Sequence, residues 1–96
     1  MRYYHRSALP AEPILVEADR FFGGTLAPVE SGARRRTYAG PVGRVTISVR
    51  AEGGHYTLIT AETDQVGEAE ADKRVRRFLA TVHQRLEPSH TVRGAY

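Results

Sequence analysis

The chain has 96 residues, of which 41% are apolar and 26% charged, with fourteen basic against eleven acidic side chains and no cysteine. This composition suits one globular domain with a modest core, and it excludes a disordered or fibrous chain, a disulfide framework and a thiolate metal site. The net charge of +3 is mild, and without an 18-residue apolar run or a signal-type apolar core the expectation is a soluble, cytoplasmic protein with no membrane partner.

Arg2 to Leu9 alternates Tyr3, His5 and Ser7 against Arg2, Tyr4 and Arg6, the period of a strand, and Pro10 ends it. Glu12 to Phe22 then places Ile14, Leu15, Ala18, Phe21 and Phe22 on one helical face; Pro13 suits the first helical position and Gly23-Gly24 stops the helix. From Thr25 to Thr63 the period falls to two. Pro28 assigns the weak strand in TLAPVE to an edge or a bulge, Ser31-Gly32 turns into ARRRTYAG, and Gly40-Pro41-Val42-Gly43 turns again into RVTISVRA. In that strand Val45, Ile47 and Val49 face one way and Arg44, Thr46, Ser48 and Arg50 the other.

Gly53-Gly54 closes a hairpin onto HYTLITAETD, and the length of the turn decides which face is buried. A two-residue turn, the favoured reading, aligns Tyr56, Leu58 and Thr60 with the valine face; a three-residue turn including Glu52 puts Thr57, Ile59 and Ala61 there. The last element is a helix from about Gly67 to Glu87, ended by Pro88, with one apolar stripe of Ala71, Val75, Phe78, Leu79, Val82 and Leu86. Its basic run DKRVRRFL reads as a solvated face. Glu70 lies four residues before Arg74 and Asp72 four before Arg76, each pair stabilising a helix by roughly 0.2 to 0.5 kcal/mol, while Lys73 and Arg77 point away from the stripe. Residues 1–88 form a single domain and 89–96 a loose tail.

The expected fold is α+β: an antiparallel sheet of four to five strands with two helices on one face, in the order β-α-β-β-β-β-α. The stretches YYHRSALPAEPILVEADRFFGG, GRVTISVRAEGGHYTLIT and DKRVRRFLATVHQRL resemble a shortened helix-grip domain of the START and polyketide-cyclase superfamily. That resemblance covers Arg2 to Leu86, rests on pattern and order, and implies an apolar pocket gripped between a long C-terminal helix and a sheet. The chain departs from the family in its shorter meander and in lacking a second helix after the first. The same order of elements also resembles the half-repeat of the TATA-box-binding protein fold, whose sheet lies against DNA.

Motifs for chemistry are scarce. There is no phosphate-binding glycine loop after a strand and no GxSxG; His5, His55, His83 and His90 have no metal-ligand spacing, and His83 with Glu87 reads as a surface pair. Glu62 and Asp64, one residue apart, could serve as an acid/base pair but read better as caps of the following helix. No catalytic residue, metal or cofactor is expected. A small apolar ligand between helix and sheet would meet Tyr3, Tyr38, Tyr56, Phe78 and Val82. The alternative is a nucleic-acid surface of Arg34, Arg36, Arg44 and Arg50 on the helix-free face, and a third reading is a homodimer whose sheets join.

Overall fold

The computed structural model describes residues 1–53, 56–64 and 70–86, with side chains up to His83. The elements are β1 (Arg2–Ser7), α1 (Ala11–Phe22), β2 (Ala27–Ser31), β3 (Arg35–Gly40), β4 (Gly43–Glu52), β5 (Tyr56–Thr63) and α2 (Glu70–Leu86). All five strands form one antiparallel sheet in the order β1-β5-β4-β3-β2, so the first strand inserts beside the last and the meander runs away from it. The expected element order and α+β class are those observed. The expected residues Gly67, Glu68, Glu87 and Pro88, and the tail, lie outside the described residues.

Alternation sets the two faces of the sheet. Val45, Ile47 and Val49 of β4 and Thr57, Ile59 and Ala61 of β5 are buried under the helices, together with Tyr38 of β3 and Ser7 of β1. α1 contributes Ile14, Leu15, Ala18 and Phe22, and α2 contributes Ala71, Val75, Phe78 and Val82. The ring of Phe22 stacks on Tyr38 at 5.3 Å between centroids, and Phe78 lies 5.3 Å from Phe22 and 5.7 Å from Phe21. At the far end of α2, His83 meets His5 of β1 edge-on at 5.9 Å.

Three local readings change. α1 starts at Ala11, one residue early, because Pro10 caps it with an extended backbone and Pro13 sits inside the first turn, where its missing N–H has no helical acceptor anyway. The last hairpin takes neither expected register: Glu52 stays in the strand and pairs with Tyr56, and Val49 pairs with Ile59, which buries the face of the second alternative, with Gly53 at φ +67°. Tyr56, Leu58 and Thr60 therefore lie on the face away from the helices, as a one-residue slip requires. Asp72 is fully buried, and its Oδ1 accepts hydrogen bonds from Tyr3 Oη at 2.8 Å and Thr63 Oγ1 at 3.0 Å. It lies next to Ala71 on the stripe, which turns its carboxylate inward rather than along the helix surface towards Arg76. The other expected helical pair forms, Arg74 to Glu70 at 3.1 Å.

β2 is an edge strand with all five residues exposed, and its register shifts between Pro28 and Glu30, so proline and bulge together blunt that edge. Gly40 ends β3 where an added Cβ would lie 2.7 Å from the Leu26 side chain, so a larger residue there would require the end of that side chain to shift.

Candidate functional site

Every second strand residue points away from the helices, and together these residues build an open face. By register it carries Arg2, Tyr4 and Arg6 from β1, Tyr56, Leu58, Thr60 and Glu62 from β5, Arg44, Thr46, Ser48, Arg50 and Glu52 from β4, and Arg35 and Thr37 from β3. Cross-strand rows follow directly. Arg6, Leu58 and Arg50 form one row; Tyr4, Thr60, Ser48 and Arg35 form the next. Thr37 and Thr46 share a hydrogen bond of 3.2 Å and are buried beneath longer neighbours, with Glu30 of β2 accepting from Thr37.

Four of the five arginines on this face meet three glutamates. Arg2 pairs with Glu62 at 2.9 Å, Arg35 with Glu30 at 3.6 Å, and Glu52 serves both Arg6 at 2.5 Å and Arg50 at 3.7 Å. The hydrogen bond that Arg2 donates to Glu62, foremost, raises the Arg2 pKa above its ordinary value, and the one that Arg6 donates to Glu52 does the same for Arg6. Arg44 is exposed; its backbone N–H donates to Asp64 Oδ1 at 3.0 Å, which fastens the start of β4 to the end of β5. Asp64 thus holds a neighbouring strand, and Glu62 is engaged by Arg2.

Two large aromatic side chains stand out of the face, Tyr4 at 60% and Tyr56 at 53% exposure. Around Tyr4 and Leu58 the surface sinks into a shallow hollow of about 350 Å³ lined by Arg2, Ser48, Arg50 and Thr60, continued by a second of about 210 Å³ bordered by Arg6. The floor is apolar, the walls carry hydroxyls and one ring, and the rim is guanidinium. A third hollow of about 170 Å³ lies between Arg35, Arg44 and Asp64.

The residues singled out from the sequence divide between the two faces. Arg44 and Arg50 stand on the open face. Arg36 and Tyr38 do not: Arg36 Nε lies 3.3 Å from the Asp19 carboxylate of α1 and its guanidinium also bonds the Gly32 carbonyl. The Tyr38 hydroxyl donates to Asp19 Oδ1 at 2.6 Å. Burial first, and then this bond, push the Tyr38 hydroxyl's pKa far above its ordinary value. Arg34 is exposed just ahead of β3, where its carbonyl accepts from the Val49 N–H.

Of the proposed ligand set, Tyr3, Tyr38, Phe78 and Val82 lie on the helix side, Phe78 and Val82 inside the packed core, whereas Tyr56 is on the opposite face. Arg2, Arg6 and Arg35, and the exposed ring of Tyr4, were not singled out by sequence reasoning. The signal for the β1 residues was present in the alternation of Arg2, Tyr4 and Arg6 against Tyr3, His5 and Ser7.

Lys73 and Arg77 of α2 are exposed on the far side of the molecule, and Arg74 is held by Glu70 and by Thr25 Oγ1 at 2.6 Å. Among the described residues no cluster of His, Asp or Glu is arranged to hold a metal ion, and no helix is long and apolar enough to cross a membrane. The chain has no significant match among protein-family models, curated proteins or solved structures.

Proposed function

We propose that this protein is a non-enzymatic binding module whose open sheet face takes single-stranded nucleic acid. One observation carries the reading: five arginines and two exposed tyrosines share a face that the helices leave uncovered. Guanidinium groups contact phosphates, and exposed rings stack with bases whatever their sequence, so this pairing of residue types suits a flexible strand better than a duplex. The existing Arg–Glu pairs compete with phosphate but do not preclude it, because exposed ion pairs contribute only about 0 to 1 kcal/mol and can exchange for phosphate contacts. A ligand held between α2 and the sheet has less in its favour, since the rings of Phe21, Phe22 and Phe78 take up that space.

The test is fluorescence anisotropy of labelled twelve-nucleotide dT and rU strands at 50 mM and 200 mM salt. Wild type is expected to bind, and replacing Arg44 and Arg50 by Ala is expected to weaken binding and flatten the log–log salt slope by about 0.7 per arginine. An absence of binding at 50 mM salt would remove the reading.

A further inference from the structure

Glu52 occupies an unusual position on the open face. It sits in the last β4 pair before the hairpin, opposite Tyr56, and reaches diagonally across β5 to Arg6 while also holding Arg50. Both guanidiniums flank the same residue, since Arg6 and Arg50 are each in register with Leu58. Two interstrand spacings therefore separate their backbones, about 10 Å, and the carboxylate lies between them. Among the described residues Glu52 is the ion-pair partner of both. The arginine side chains are 66% and 71% exposed and that of Glu52 only 32%, so the anion is inserted and the cations are reachable.

We infer that Arg6 and Arg50 form the phosphate subsite of the open face and that Glu52 is its built-in competitor, which fills the subsite in the free protein and yields it to a backbone phosphate. This inference rests on the single-stranded nucleic-acid reading and adds a regulatory residue to it. A carboxylate and a phosphate present the same kind of acceptor oxygens to a guanidinium fork, so each can take the other's place. The neighbouring hollow gives the attached nucleotide somewhere to lie: Arg50 and Leu58 border it, Tyr4 forms its wall, and Ser48 and Thr60 supply hydroxyls. A strand crossing from β4 to β1 would place a phosphate over Leu58 and a base against Tyr4. Glu52 keeps the subsite closed to weak or isolated anions, because an incoming group must displace a carboxylate already in place.

The inference predicts an inversion. Removing an acidic residue from the hairpin end should tighten binding by more than its charge alone explains. Glu52→Gln keeps the size of the side chain and frees both arginines, and by counterion release it should lower the Kd for a dT twelve-mer at 50 mM salt by about tenfold while steepening the log–log salt slope by about 0.7 to 1.4. Glu12→Gln, on exposed α1 surface, changes the net charge equally but frees no open-face arginine, and should move the Kd less than about twofold.

Adding Arg6→Ala and Arg50→Ala to Glu52→Gln should cancel the gain. Glu52→Ser, measured beside it with the melting midpoint of each variant, makes the result independent of how one substitution packs. If wild type binds and neither Glu52 variant binds more tightly than Glu12→Gln, Glu52 is no competitor and the inference falls while the nucleic-acid reading stands. If wild type does not bind at 50 mM salt, both fall together.

Discussion

Phe78→Ala separates a filled helix–sheet interface from a ligand-holding one. The Phe78 side chain has no exposed surface and its ring lies 5.3 Å from Phe22 and 5.7 Å from Phe21. Truncating a buried phenylalanine costs about 3 to 5 kcal/mol, and each lost aromatic pair adds roughly 0.5 to 1.5 kcal/mol beyond area burial, so the upper half of that range applies. A loss of about 4 kcal/mol is a large share of the roughly 5 to 15 kcal/mol that holds a domain of this size together.

By the usual entropy of unfolding for a domain near 100 residues, each kcal/mol moves the thermal midpoint by about 4 to 8 °C, so a fall of roughly 15 °C or more is expected. Calorimetry gives the midpoint, and urea unfolding at an unchanged slope gives the free energy. A fall under about 5 °C would show that the ring lines open space, and would refute the packed-core account on which the assignment of function to the other face depends.

Tyr3→Phe removes one of the two hydrogen bonds that the buried Asp72 carboxylate accepts and should cost about 1.5 to 3 kcal/mol by chemical unfolding, as hydrogen bonds to charged groups do. Because the Tyr38 pKa is raised in the folded state, its neutral form contributes stability that is fully present below the unfolded value near 10 and is lost as the pH climbs past it. Absorbance titration of wild type against Tyr38→Phe should therefore show no ionisation of Tyr38 at pH 10 to 11, and a normal tyrosinate there would contradict its burial and, with it, the bond to Asp19. Lys73→Ala with Arg77→Ala should leave oligonucleotide anisotropy within about twofold of wild type at 50 mM salt, since both project from the side opposite the open face.

Periodicity made most of the architecture legible. The alternation of Val45, Ile47 and Val49 and the stripe through Ala71, Val75, Phe78 and Val82 are strong because each buried set is uniformly apolar. The last hairpin was less so. Tyr56, Leu58 and Thr60 are nearly as apolar as Thr57, Ile59 and Ala61, leaving the turn to decide, and Gly53-Gly54 suggests two residues where the chain uses three.

The candidate site suffered from the same uncertainty of phase. Arg34, Arg35 and Arg36 are consecutive, so composition marks the cluster but only strand register shows that Arg35 reaches the open face while Arg36 turns to Asp19. Glu52 carries no local signature, because its meaning comes from Arg6, distant in sequence and brought close by the insertion of β1 beside β5.

The most direct test of the account is amide and side-chain NMR of the wild-type protein titrated with a dT twelve-mer at 50 mM salt. Shifts concentrated on Arg6, Leu58, Arg50 and the ring of Tyr4, with Phe78 and Val82 undisturbed, are the expected result. Shifts confined to α2, or none at saturating oligonucleotide, would contradict the assignment of binding to the open face of the sheet.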